Sequence, residues 1–210
     1  SGARSTDEAL QAQAQKLQGS GLLPMAGFGI SLRDELIEPL PDLVQRYQSL
    51  LHLWPEPLSS ALPVSYAHQG VSLEGWLGGL HGNAQGQYLL ITAIPNSIGS
   101  KKNRKWHRLI RPWVLHLVGC ACGLPLSTAL VASDETLLLD PLDKTLAANA
   151  LNDLLTAWLN GMQRPLPVAV KTAFAWLGQN DESKAEAAAR KAYEGDGQTT
   201  DGERRESTAL

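Results

Sequence analysis

From Trp113 to Ser133 the chain runs for 21 residues without a charged side chain, and a stretch of that kind has to be hidden from water. Its length is about that of a bilayer span. Its content is not, because His116, Gly119, Gly123, Pro125, Ser127 and Thr128 all fall inside it. The Gly123-Leu124-Pro125 break divides the run into a half with helical spacing and a half that reads as extended. A buried helix followed by a buried strand accounts for it better than a membrane helix.

The flanking segments supply elements to cover that pair. Ser5 and Glu8 make a capping box for a short helix carrying Leu10, Ala14 and Leu17, ended at Gly19-Ser20-Gly21. Ser31 can cap a second helix, interrupted by Pro39. Pro41 suits the first turn of the next one, whose apolar positions are Leu43, Val44, Tyr47, Leu51 and Trp54. The period then changes. Leu62, Val64 and Tyr66 alternate with smaller or polar residues, as do Val71, Leu73 and Leu77, and Tyr88 to Ile94 reads as a more fully buried strand. With turn chemistry over His81 to Gly86, these three read as an antiparallel meander. A helical stripe follows at positions 106, 109, 110, 113, 114, 117 and 118, and Pro112 either starts or kinks that helix. Ser127 to Ser133 and Thr136 to Leu139 form a hairpin. Asp140-Pro141 starts a helix carrying Leu151, Leu154, Leu155, Trp158 and Met162, with Gly161 as its terminator, and Glu182 to Tyr193 forms a last helix. The fold class is mixed α/β, in the order helices, three strands, helix, hairpin, helix.

Most catalytic patterns are missing. Cys120 and Cys122 lie two apart, on different sides of a helix, with no second ligand pair for zinc. They read as small core residues, and two cysteines make no disulfide framework, which fits a reducing compartment. His116, inside the apolar run, reads as a satisfied core histidine. The spacings of a nucleophile elbow, a phosphate loop and a dinucleotide loop do not occur. Metal-dependent phosphodiester cleavage needs carboxylates held together. Between Glu74 and Asp134 there is not one Asp or Glu, a gap of 59 residues that spans the buried strand and the helix after it.

That gap is not free of charge. Lys101, Lys102, Arg104, Lys105, Arg108 and Arg111 place six cations in eleven residues, with Trp106 and His107 interleaved. The formal total of −3 conceals this: it resolves into +6 over residues 101–111 and −9 elsewhere. Phosphates with a base stacked on Trp106 would use the arrangement. An acidic partner protein, or a solvated loop leading into a helix, would account for it as well, and Trp106 also fits the start of the core stripe.

Several strings, in order and at matching spacing, resemble the C-terminal part of RecC, the gamma subunit of exodeoxyribonuclease V. They are Gly21-Leu-Leu-Pro-Met-Ala-Gly-Phe-Gly29, Leu73-Glu-Gly-Trp-Leu77, Leu117-Val-Gly-Cys-Ala-Cys-Gly123, Leu154 to Pro165, and Lys184 to Gly195. The resemblance implies a PD-(D/E)XK nuclease-like core with added helices and a lost active site. An active relative carries an acid where Gly78 stands, and an acid and a lysine where Thr92 and Ile94 stand. It also implies a non-catalytic role in double-strand break processing, with RecB-like and RecD-like subunits as partners and double-stranded DNA ends and single-stranded DNA as ligands. No cofactor is implied for this domain; ATP and Mg²⁺ belong to other subunits. The implied setting is cytoplasmic, with no membrane.

The domain expectation is a helical segment over 1–20, an inactive nuclease-like domain over 21–195 and a mobile tail over 196–210 at a truncated end. Lys101, Lys102, Arg104, Lys105, Trp106 and Arg108 are the candidate DNA- or partner-binding residues. Two rivals stand beside this reading: an active metal-dependent nuclease using Glu74 with Asp134, and a purely protein-binding module.

Overall fold

A computed structural model of the chain describes residues 34–100, 104–164, 166, 169–197 and 202–206, with four isolated positions before them. The first expected helix is described only at Glu8, Ala12, Gln13 and Lys16, all helical; the Ser31 cap and the Gly21–Gly29 string lie outside the described residues. What is described comprises α1 (Leu40–Leu53), β1 (Glu56–Pro57), β2 (Leu62–His68), β3 (Val71–Leu77), β4 (Leu80–Gly82) and β5 (Tyr88–Ala93). A 3₁₀ turn (Trp106–Leu109) leads into α2 (Ile110–Ala121), followed by β6 (Leu126–Val131), β7 (Thr136–Leu139), α3 (Lys144–Gln163), α4 (Val170–Leu177), α5 (Glu182–Glu194) and α6 (Glu203–Glu206).

The uncharged run forms α2 and β6, as a buried helix followed by a buried strand. Pro112 lies in the first turn of α2, where a missing N–H breaks no helical bond, so the helix begins there rather than kinking. Gly123, at φ +83°, ends it: the amides of Cys122, Gly123 and Leu124 bond back to Val118, Cys120 and Gly119. The chain then enters β6, whose six residues are all buried. Among the described residues no helix is long and apolar enough to cross a membrane.

β6 is an interior strand of a five-stranded mixed sheet in the order β1-β4-β5-β6-β7. It pairs parallel with β5, Leu90 opposite Thr128, and antiparallel with β7. The parallel pair is joined by the α2 crossover, as parallel strands require. Strand alternation places Leu89, Ile91 and Ala129 against Leu50 and Trp54 at the end of α1. Leu90 and Leu126 join Leu117, Leu151 and Leu155 of α2 and α3 in the largest core cluster. Gly119 is what lets α2 come so close to β6: a Cβ there would collide with the side chain of Leu126 and sit 3.2 Å from that of Leu77.

The expected three-stranded meander is corrected. β2 and β3 form a separate two-stranded hairpin, from Leu62↔Leu77 to His68↔Val71. The break falls at Gly78-Gly79, where Gly79 takes φ +68°. Beyond it the chain resumes as β4, which pairs with β5 through Leu80↔Leu90. The sheet read as one meander is thus divided in two by glycines that turn the backbone. The hairpin lies along α3: Tyr66 donates to Asn152 Oδ1 at 2.7 Å, and His68 Nε2 meets Thr156 Oγ1 at 3.3 Å.

Two helix boundaries also move. Asp143, not Asp140, caps α3, accepting from the amides of Thr145 and Leu146 at 2.8 and 3.3 Å. Gly161 does not terminate that helix. It ends at Gln163 because Arg164 precedes a proline and is extended, at φ −150° and ψ 145°. Strands β1 and β4 and helices α4 and α6 are additions to the expected order. Replacing Gly119 by alanine is expected to lower stability by about 1–3 kcal/mol through overpacking against Leu126. The urea midpoint should fall for G119A and hold for Gly75→Ala, a control on β3 where an added Cβ meets nothing within 4 Å.

Candidate nucleic-acid interface

The segment between β5 and α2 carries the basic cluster, and its shape is set by the turn between β6 and β7. Asp134 accepts from Ser97 Oγ at 2.6 Å and from the amides of Ile98 and Gly99 at 2.9 and 2.8 Å. The next residue, Glu135, pairs with Arg104, whose side chain is only 6% exposed. The Arg104 guanidinium also lies 5.9 Å from the centre of the Trp106 ring. Arg108 donates to the Ser97 carbonyl, and the Lys105 amide bonds Ile98 O at 2.8 Å. On the other side, Arg46 of α1 donates to the carbonyls of Ala132 and Ser133, at 2.9 and 2.5 Å.

These bonds sort the candidate residues. Arg104 and Arg108 are engaged by the protein itself, while Lys105 and Trp106 face outward, Trp106 at 46% exposure. Lys101 and Lys102 lie outside the described residues. Arg111, on the first turn of α2, is exposed and has no hydrogen-bond or ion-pair partner among the described residues. His107 lies in a cleft of about 370 Å³ with Lys105, Trp106, Lys171 and Phe174. Its pKa is lowered, first by burial and then by the positive charges of Lys171, Arg108 and Lys105, with Glu203 pulling the other way. Glu203 caps α4 by accepting from the amides of Lys171 and Thr172 at 3.0 and 2.9 Å and from the Thr172 hydroxyl at 3.0 Å. No sequence pattern marked Lys171, Phe174 and Glu203, because α4 was not legible as a helix.

Gly78 and Thr92, the positions singled out for lost catalytic groups, line one groove of about 450 Å³. Trp76 and Arg111 line it too, over Leu90 and Leu115. Ile94 does not join them; it packs against the cluster of Ile98, Leu109, Leu130 and Ala132. Among the described residues no carboxylate lines the groove, and no three His, Cys, Asp or Glu side chains stand together as a metal site. Glu74 sits on the hairpin opposite Ser65. Asp134 is spent on the loop amides.

The remaining titratable candidates are core. His116 is fully buried, with Nδ1 3.1 Å from Thr128 Oγ1 and its ring stacked on Trp113. Burial lowers its pKa and so favours the neutral ring. Cys120 is buried as well, and burial raises its thiol pKa away from the reactive thiolate.

The molecule is therefore a mixed α/β domain whose cationic β5–α2 segment is held in place by Asp134 and Glu135 of the β6–β7 turn. The family profile of the RecC C-terminal domain matches residues 2–181, and the chain belongs to that family. RecC is a subunit of the RecBCD exonuclease complex, which places the chain in a DNA repair and recombination context. No curated protein matches the chain.

Burial opposes the ionised form of Asp134, but the Ser97 hydroxyl and the Ile98 and Gly99 amides outweigh it and hold the carboxyl below the usual carboxylate range. The sign follows: Asp134 stabilises the native loop fully above its unfolded pKa of about 3.9, and that contribution fades as pH falls toward the depressed native value. Because Asp134 is exposed, Asp134→Asn is expected to cost only about 1 kcal/mol at neutral pH. The difference between variant and parent should shrink in acid, as followed by thermal melts from pH 7 to pH 3.

Proposed function

We propose that this domain is a non-catalytic scaffold and DNA-guiding element of the gamma subunit of exodeoxyribonuclease V, the ATP-dependent helicase and nuclease complex of double-strand break repair and homologous recombination. The observation that carries the reading is the groove at Gly78 and Thr92. Where a nuclease of the resembled kind would hold a divalent metal, it offers a glycine, a threonine hydroxyl and a guanidinium. Such a lining attracts phosphate and repels a metal cation. On this reading the PD-(D/E)XK-like core persists as a frame, in which β5, α2 and β6 carry the basic segment, and ATP and Mg²⁺ serve the RecB-like and RecD-like partners.

The scaffold part of the reading is supported by α3. Leu146, Leu154, Trp158 and Met162 lie at four-residue intervals or multiples of them along that helix, and all are exposed, Met162 at 69%. An apolar helix stripe of this kind suits contact with another protein surface. The basic segment with its outward Lys105 and Trp106 suits the DNA ends and single strands that the complex handles.

Two measurements test the reading. Incubated with linear DNA and Mn²⁺ or Mg²⁺, the chain is expected to release no product above a protein-free control; metal-dependent cutting that disappears in Glu74→Gln would make it an active nuclease instead. Titrated with forked or single-stranded DNA, it is expected to bind in a salt-sensitive way. Charge reversal at Lys101 and Lys105 should then lower the slope of log affinity against log salt by roughly 0.7 per lysine. Absence of binding at low salt, or indifference to the reversal, removes the DNA assignment.

A further inference from the structure

Among the described residues, the arginine of the basic segment that has no partner lies away from the segment's own cleft. Of its described arginines, Arg104 is taken by Glu135 and Arg108 by the Ser97 carbonyl, and only Arg111 is left without a partner among the described residues. Arg111 lines the groove between the β2–β3 hairpin and β5 rather than the cleft at His107. In the same groove stands Trp76, which at 76% is the most exposed of the large apolar side chains described. A single exposed tryptophan on a strand is ordinary. An exposed indole that shares a groove with a guanidinium, with neither a partner for that guanidinium nor a lining acid among the described residues, has the two features that hold a nucleotide: a flat apolar face for a base and a cation for its phosphate.

We infer that the Trp76–Arg111 groove is a binding site for one nucleotide of a DNA single strand, with the base stacked on Trp76 and the adjoining phosphate on Arg111. This rests on the DNA-guiding reading and adds a site outside the Lys101–Arg108 segment. The occupant is a single strand because a base within a duplex is already stacked on its neighbours and cannot offer its face to an indole. The floor is apolar, formed by Leu77, Leu90 and Leu115, and Thr92 adds one hydroxyl. Gly78 brings only backbone to the lining, and a Cβ there would have only the Ala61 Cβ within 4 Å, at 3.6 Å. Nothing in that lining reads a particular base edge, so the site is expected to accept any base.

The test uses the full 210-residue chain, with oligo-dT and a blunt duplex of equal length as probes, followed by fluorescence anisotropy at low and moderate salt. Trp76→Ala is expected to weaken oligo-dT binding about tenfold, within the range for loss of one base–aromatic stack, with Trp76→Phe restoring most of it and duplex binding unmoved. Arg111→Gln should weaken oligo-dT binding too and reduce the salt slope by roughly 0.7. Photocrosslinking of oligonucleotides carrying 5-iodouracil should map to Trp76. Both side chains are exposed, so melting temperatures should stay within a few degrees of the parent. If oligo-dT binds and depends on Lys101 and Lys105 but ignores Trp76 and Arg111, the groove assignment fails alone. If no DNA binds at low salt, both readings fail. Capture of an acidic peptide that is sensitive to Trp76→Ala, without oligo-dT binding, would make the groove a protein contact and overturn the inference.

Discussion

A strand that has no face toward water has to be covered twice, and β6, buried at all six positions, imposes that requirement on everything around it. One side is met by the end of α1 through Leu50 and Trp54, the other by α2 with α3 packed behind it. The parallel pairing with β5 demands a crossover, and the crossover is α2 itself. Close approach of α2 to the strand depends on Gly119, because a single methyl group at that position would run into Leu126. Burying apolar area at about 25 cal/mol per Å² makes such a double-sided layer the main stabilising element of a small domain.

The same geometry explains why the cationic segment is ordered by acids that lie far from it in sequence. β5 and β6 end side by side, so the residues leaving β5 meet the turn leaving β6. Asp134 and Glu135, which end the acid-free run, stand in that turn. One takes the amides of Ile98 and Gly99; the other takes the nearly buried Arg104. A buried guanidinium without a carboxylate would be costly, so part of the basic cluster is structural. What reaches solvent is a subset of the six cations, and Arg111 is the described arginine left without a partner.

Elements with strong local signals were legible in the sequence. The α2–β6 pair followed from an uncharged run broken at Gly123, and α5 from an alanine-rich charged segment. Features decided by distant partners were not. The change of sheet at Gly78-Gly79 was not visible, because only the pairing of β4 with β5 shows it. The β1 strand is two residues long, and α4 is a short apolar helix capped by Glu203, some thirty residues away. Neither carries a local signature. For the candidate site, composition made the cations and the missing acids visible, and family resemblance made Gly78 and Thr92 stand out. Which arginines are engaged, and that Trp76 shares a groove with Arg111, depends on packing that spacing does not encode.

The missing carboxylates have two consequences that bear on one another. A groove without acids cannot hold a hard divalent cation, which needs oxygen ligands of negative charge. The same groove keeps the potential of its guanidinium, since no carboxylate among the described residues lines it to offset that charge, and a poorly hydrated guanidinium beside an apolar floor is a strong phosphate ligand. A side chain of opposite charge at Gly78 or Thr92 would serve a metal and spoil the attraction for a bare strand. On the proposed reading, loss of catalysis and gain of a strand contact are therefore one change in the sign of a groove, made without altering the sheet and crossover that build it.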